Sequence, residues 1–315
     1  MKFSNIDMRD AFFDEVYNIA KNDRNIIFLT ADMGAFSLER FRKDLPEQYI
    51  NVGVAEQNMI SIAAGLTLGG KRVFAYGIAP FVTMRCYEQI KVDLCCMKLP
   101  VSVVSVGSGF TYGSDGPTHH ATHDIAVMRT LSEITILNPS DPVMASACAK
   151  MACCDEGPKY IRVERGKLPI LYDGKTEEFK EGIAILKQGL DITIIATGMM
   201  VHRAIEVSKK LSEYSIDAGV VDLYRIKPVN ETLLVNILGK SKKIVTIEEN
   251  AIIGGTGSVI SEMLSDSCLS VPLKRIAAND FHCYDYGDRE WINSQLGLDV
   301  DGIVKSILSW YCKED

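Results

Sequence analysis

Long apolar runs, CxxC pairs and a surplus of basic residues are all missing from this sequence, and each absence removes a class. No uninterrupted apolar stretch approaches the ~18 residues that a membrane-spanning helix requires. The opening Met1-Lys2-Phe3-Ser4-Asn5 lacks the apolar core of a secretory signal peptide. Lys and Arg number 34 against 41 Asp and Glu, a formal net charge of −7. Nonspecific nucleic-acid binding rests on a basic patch and is disfavoured. Nine cysteines include the neighbours Cys95-Cys96 and Cys153-Cys154 but no CxxC. Adjacent cysteines in predicted helices suit a reducing compartment, where thiols pack as small apolar groups, so the cytoplasm is the expected location. Neither an internal repeat nor a low-complexity tract is visible.

What is present is alternation. A chain of 315 residues suggests two domains. Short apolar segments at 26–30, 49–52, 72–76, 101–106, 134–137 and 160–163 read as strands, and 49–52 reads as a buried one. Helical patterns separate them at 7–21, 38–43, 56–68, 81–97, 124–130 and 141–154, with Pro80 opening the long 81–97 helix. Strands alternating with helices imply a parallel sheet covered on both faces. A polar connection runs from about 166 to 181, and the alternation then resumes to the last helix at 300–310. The expected architecture is α/β with two doubly wound domains. They are placed at 1–170 and 185–315, the second smaller, with a linker at 171–184.

The chain is organised around Asn51-Val52-Gly53-Val54-Ala55-Glu56-Gln57-Asn58-Met59, which runs on to Gly69-Gly70. Gly53 breaks a strand, and Glu56 opens a helix too apolar to face solvent, so burial on most sides is expected. A carboxylate at that junction needs a reason. It is either a satisfied helix cap or a functional acid. Ligands of open parallel sheets bind beyond the strands' C-terminal ends, which singles out the loops at 31–35, 53–57 and 107–120. The third loop contains Asp115-Gly116-Pro117-Thr118-His119-His120-Ala121-Thr122-His123-Asp124, with three of the five histidines of the chain. Cap or surface histidines, or an accidental metal-like cluster, are the bland readings. The spacing matches no HExxH-type zinc pattern, and no metal site is expected. A glycine-flexible loop ending in Pro-Thr-His reads as a polar pocket for a small molecule. Gly254-Gly255-Thr256-Gly257-Ser258 lacks the Lys-Ser/Thr of a P-loop and reads as a packing turn.

Taken together, Val52-Gly53-Val54-Ala55-Glu56-Gln57, the aromatic-led Phe81–Gln89, Asp115–His119, Asn138-Pro139-Ser140-Asp141 and Ile161–Gly166 resemble the transketolase family in order and spacing. Members of that family are thiamine-diphosphate enzymes that move two-carbon ketol units. The resemblance spans essentially the whole chain. It implies a pyrimidine-binding domain of the thiamine diphosphate-binding fold followed by the family's C-terminal domain. The family's Gly-Asp-Gly motif, which holds Mg²⁺ and the diphosphate, is absent. Ser114-Asp115-Gly116 with Asn138 is a near miss inside another motif and reads as coincidence. The resemblance therefore implies the C-terminal half of a split transketolase. Its partner chain, an N-terminal transketolase-like subunit, would carry the Mg²⁺ and diphosphate site. Two copies of each would form a tetramer, with the apolar 60–68 segment a candidate contact between copies.

The resemblance also implies roles. Glu56 would share a proton with the aminopyrimidine ring and so activate the cofactor. Burial with no Lys or Arg beside it in sequence is expected to raise its pKa, against the opposing pull of the helix N-terminus. Phe81 is a candidate to stack on that ring, with an ordinary core aromatic as the alternative, and Tyr87 is a further cofactor contact. Asp115, His119 and His120 are assigned to substrate, with His119 also catalytic, and Arg165 to a substrate phosphate. One position departs. Phosphate-using transketolases carry a histidine eight residues before the motif's Asp, and 1-deoxyxylulose-5-phosphate synthases an arginine about one position later. Here Gly107 and Ser108 stand there. The acceptor is then expected to be unphosphorylated or to carry its phosphate elsewhere, unless Arg85, His120, His123 or the partner supplies the charge.

The leading reading is a transferase subunit for ketol transfer to aldehyde or aldose acceptors. A synthase like the 1-deoxyxylulose-5-phosphate enzymes is the nearest alternative, on Val54–Gln57 and Tyr87-Glu88-Gln89. The β-subunit of 2-oxo-acid dehydrogenases shares the architecture, but Asp-Gly-Pro-Thr-His argues against it. A non-catalytic partner subunit is the remaining class, and joint retention of Glu56, Asp115 and His119 weighs against it.

Overall fold

The computed structural model describes residues 6–173 and 179–312. The opening Met1–Asn5, five positions of the expected linker (174–178) and the last three residues lie outside the described part. The chain divides into two compact units. One runs to Ser108 and takes in Val127–Asp173; the other comprises Gly109–Ala126 and the described residues from Phe179 onward.

In the first unit, β1 (Ile26–Thr30), β2 (Tyr49–Asn51), β3 (Arg72–Ile78), β4 (Val101–Val106), β5 (Thr135–Leu137) and β6 (Lys159–Val163) are all parallel, in the order β5-β6-β4-β3-β1-β2. β1, β4 and β6 are buried at every residue, as strands of a sheet covered on both faces are. α1 (Met8–Ala20) starts where Asp7 accepts from the Arg9 amide, and α2 (Phe36–Asp44) follows β1. Phe12, Phe13, Phe28, Phe41, Phe74 and Tyr76 form the aromatic centre; Phe13 meets Tyr76 edge-on at 4.8 Å between ring centroids, a favoured geometry. The short α6 (Asp124–Arg129) precedes β5. α7 (Pro142–Cys154) is capped by Asp141, whose Oδ1 accepts from the Met144 amide at 2.7 Å.

Three expectations fail here. β2 is not buried: Tyr49 is half-buried and Ile50 and Asn51 are exposed, because the strand forms the sheet edge and pairs only with β1. The helix opened by Pro80 is not continuous. It divides into α4 (Ala79–Val82), α5 (Tyr87–Gln89) and a π-helix over Ile90–Cys95. The break falls at Thr83, whose hydroxyl donates to the Ala79 carbonyl at 2.6 Å while Cys86 Sγ reaches the Phe81 carbonyl at 3.2 Å. Side chains that bond to the preceding turn compete with the regular ladder in this way. Third, α3 (Glu56–Leu68) buries Glu56, Met59, Ile60, Ala63, Ala64 and Thr67, but Leu68 is 63% exposed. Within this chain the helix is covered on one side only.

In the second unit, β7 (Ala184–Lys187), β8 (Ile192–Ala196), β9 (Ala218–Asp222), β11 (Ile244–Ala251) and β12 (Leu273–Ala278) form a sheet in the order β12-β11-β8-β9-β7. It is parallel except for the edge pair β7–β9. The short strand β10 (Arg225–Lys227) follows β9. Helices α8 (Met200–Leu211), α9 (Glu231–Lys240), α10 (Thr256–Asp266), α11 (Arg289–Gln295) and α12 (Val300–Tyr311) complete the unit, and Ile195, Val221, Leu234, Leu238, Ile244 and Ile260 make its core. The glycine-rich turn before α10 is filled by the chain itself. Glu248 accepts from the Thr256 and Gly257 amides, each at 2.7 Å. A Cβ at Gly255 would stand 2.1 Å from Glu248 Oε2, so only glycine fits. The two amides that a phosphate would use are already taken.

Candidate active site

The first candidate residues lie at the C-terminal ends of β2 and β3. Gly53 takes φ 75°, a conformation that costs glycine little and other residues much, and turns the chain off the sheet edge. Ala55 is the N-cap of α3 and offers no side-chain cap, which makes Glu56 the first helical residue. Glu56 does not act as the cap. Its Oε2 accepts from Arg85 Nη1 at 2.7 Å; the carboxylate side chain is 6% exposed and the arginine 43%. The Arg85 guanidinium carbon also lies 4.4 Å from the centroid of the Phe81 ring, and the Arg85 carbonyl accepts from Gln57 Nε2 at 3.1 Å. Carboxylate, cation and half-buried aromatic face are thus in one place.

This arrangement overturns the premise that Glu56 has no cationic partner. The partner comes from the broken segment after Phe81, 29 residues on. A signal was present: Arg85 is the only basic residue between Arg72 and Lys91. The neighbouring Cys86 thiol is pushed up to about 12 by burial first and by the charge of Glu56 second, which leaves it protonated and inert as a nucleophile. The Tyr87 hydroxyl shares a hydrogen bond with Thr130 Oγ1 at 2.8 Å. Arg165, just after β6, is exposed and makes no side-chain ion pair among the described residues.

The remaining candidates sit in the Gly109–Ala126 segment, within the second unit. Gly109 and Ala121 exchange backbone hydrogen bonds at 3.2 and 2.9 Å and close the loop. Asp115 is exposed on a short turn, and the next residue, Gly116, has φ 76° and lies against Tyr286. His119 Nδ1 shares a hydrogen bond with Thr118 Oγ1 at 3.0 Å and meets Tyr112 edge-on. His120 is 5% exposed, packs edge-on to Phe110 at 5.1 Å, and its Nε2 has no hydrogen-bond partner among the described residues. Burial holds its pKa below the usual value, against a hydrogen bond to the Gly113 backbone, so the ring is neutral at neutral pH. His123 Nδ1 shares a hydrogen bond with Thr122 Oγ1 at 3.0 Å. Among the described residues no group of His, Cys, Asp and Glu is placed to hold a metal ion. The structure brings Glu56 and Phe81 together through Arg85; Asp115, His119 and His120 lie on the Gly109–Ala126 segment, assigned to the other unit.

Comparison with known proteins bears on both halves. Residues 4–170 match the family model described as transketolase, pyrimidine binding domain, and residues 182–303 the model described as transketolase, C-terminal domain. An apulose-4-phosphate transketolase subunit of Phocaeicola vulgatus is 36% identical over 307 residues, 97% of each chain. A putative transketolase C-terminal section of Methanocaldococcus jannaschii is 35% identical over 312 residues, covering 98% of this chain and 97% of that one. Among solved structures, a split-gene transketolase described as an inactive tetramer superimposes with a TM-score of 0.87. It is 32% identical and is covered over 98% of its length, against 97% here.

Proposed function

The chain belongs to the transketolase family and has the span of its C-terminal subunits; from that premise we propose that it forms the pyrimidine-binding half of a two-chain, thiamine-diphosphate-dependent enzyme. That enzyme transfers a two-carbon ketol unit from a ketose to an aldehyde or aldose. The observation that carries this reading is the meeting of a buried carboxylate and a half-buried aromatic face, both within reach of the Arg85 side chain. A planar aminopyrimidine needs those two groups, one to share a proton with a ring nitrogen and one to stack. The planar guanidinium of Arg85 contacts both now, so the residues present fit the ring. When bound, thiamine diphosphate supplies the nucleophilic carbon that the protein itself lacks.

This chain's residues would do the rest. Glu56 hydrogen-bonds the ring and holds or releases a proton at that edge. Phe81 fixes the plane of the ring, and Tyr87 supports the segment that carries Phe81. Asp115, His119 and His120 engage hydroxyl and carbonyl groups of the donor, His119 as the residue that moves a proton. Arg165 pairs with an anionic end of the substrate. Mg²⁺ and the diphosphate fall to the partner, which agrees with the lack of a Gly-Asp-Gly motif. Two copies of each chain make the working assembly, in the cytoplasm, where nine cysteines that form no disulfide are at home. Co-expression with the candidate N-terminal subunit tests the reading, followed by assay against a panel of ketose donors with and without thiamine diphosphate. Cofactor-dependent ketol transfer by the pair is expected. Full turnover by this chain alone would contradict it.

A further inference from the structure

We infer that Arg85 is a placeholder for the aminopyrimidine ring: it keeps the carboxylate of Glu56 and the face of Phe81 engaged in the cofactor-free chain, and the entering ring displaces it. The inference rests on the reading of Glu56 and Phe81 given above.

Three observations carry it. Arg85 Nη1 donates to Glu56 Oε2 at 2.7 Å, and its guanidinium lies 4.4 Å from the Phe81 centroid, so one planar group satisfies both contacts that the ring would make. The glutamate side chain is 6% exposed but the arginine is 43% exposed. The carboxylate is therefore fixed in the protein while its cation can swing out to water at small cost. Third, Arg85 stands in the interrupted segment between α4 and α5, where its backbone carbonyl accepts from Gln57 Nε2 at 3.1 Å. That bond anchors the main chain and leaves the side chain able to change rotamer without unwinding a helix. A planar cation, hydrogen-bonded at its edge and stacked on an aromatic face, mimics a protonated aminopyrimidine in shape and in polarity. It also gives a buried carboxylate a partner, without which the charged form would be strongly disfavoured.

A positioning residue of this kind has an effect opposite in sign to that of a merely structural one. Removing a packing arginine weakens every ligand of the site, whereas removing a placeholder tightens the ring that competes with it. The test uses the full chain and 4-amino-5-hydroxymethyl-2-methylpyrimidine, the ring portion of thiamine, as probe, with binding read by ligand-detected NMR titration. Arg85→Met is expected to bind the probe about tenfold more tightly than the native chain, the scale of one displaced charge-assisted hydrogen bond. Arg85→Lys keeps the charge and should restore native affinity to within about threefold. With the partner chain present, Arg85→Met should also speed association of thiamine diphosphate and leave its dissociation unchanged. Far-ultraviolet circular dichroism and the melting temperature check that each variant folds. Probe binding in Arg85→Met that is equal to or weaker than native, or not detectable, overturns the inference. If Glu56→Gln and Phe81→Ala still weaken the probe in that case, the functional reading stands. If they leave it unchanged, both fall.

Discussion

Ser61 Oγ donates to Asp93 Oδ2 at 2.8 Å, which ties α3 to the π-helical turn that follows Phe81 and Arg85. On or beside these two elements several large apolar side chains are exposed. Val54 is 73% exposed and Leu68 63%, and Val92 and Met97 are about half exposed. Isolated exposed apolar residues need no explanation, but several on neighbouring elements mark an interaction surface. The expected outcome is a heterotetramer of two copies of this chain and two of its partner, read by multi-angle light scattering. Leu68→Asp should lower the association constant by about tenfold or more, since a buried charge costs over 1 kcal/mol, and leave the melting temperature of the isolated chain nearly unchanged. A one-to-one complex in the native pair would exclude this geometry.

Glu56→Gln preserves shape and one hydrogen bond but cannot share a proton. In the reconstituted pair it should slow exchange of the thiazolium C2 proton by about 10²–10⁴, the usual worth of a positioned acid–base group. Partner affinity should be unaltered. Proton-exchange NMR measures the rate, and an exchange rate equal to native would reduce Glu56 to a structural residue.

Gly107 is buried and has φ 87°. The position where phosphate-using relatives carry a histidine is therefore one where this backbone disfavours any side chain. Gly107→His is expected to destabilise the chain by about 1–2 kcal/mol, the scale of forcing an L-residue into the left-handed region, as read by urea titration. One other candidate for the missing charge is also weakened: His120 is held neutral by burial. The reconstituted enzyme should then discriminate little between an aldose acceptor and its terminal phosphate, with kcat/KM values within about tenfold, less than one charge-assisted bond contributes at its upper range. A preference of two orders of magnitude for the phosphate would overturn this.

Lys159 donates to the carbonyls of Asp155, Glu156 and Gly157 at 2.8, 3.1 and 2.9 Å and so closes the chain after α7. Burial lowers its pKa from 10.5 to about 8. Between those values the unfolded chain holds more protons on this lysine than the folded one, so its contribution to stability rises with pH across the window. Lys159→Met should cost about 1–3 kcal/mol through carbonyls left unpaired. The gap between native and variant unfolding free energies should widen from pH about 8 to about 10 by roughly 1 kcal/mol per pKa unit crossed. A gap that stays flat would mean that the lysine is not titrating in the fold.

How much of this was legible in the sequence differs from one residue to the next. The apolar β1 and the valine-rich β4 read as strands of a sheet covered on both faces, and both are buried throughout; helices beginning at Asp7 and Asp141 were also legible, and each aspartate caps its helix. Tyr49–Asn51 looked the same by composition, but position in the sheet, which local pattern does not encode, made it an edge strand. Pro80 correctly opened a helix. What failed was continuity, since the competition of Thr83 and Cys86 side chains with the backbone ladder depends on the tertiary setting. The pairing of Glu56 with Arg85 was hidden because it joins residues 29 apart, a contact that local pattern does not encode. The family motifs singled out Glu56 and Phe81 as candidates. Only the structure supplied the cation between them.

Glu248 gives α10 an internal counter-anion, and this makes the second unit self-contained as an ion receptor. A helix N-terminus carries about half a positive charge; here that charge is spent inside the fold rather than offered to solvent. Nucleotides, sulfate and phosphorylated sugars meet no vacancy at Gly254–Ser258, however closely the glycine spacing imitates one. Added phosphate should accordingly leave the melting temperature contributed by this unit unchanged. Replacing Glu248 with alanine should create an anion dependence that the native chain lacks.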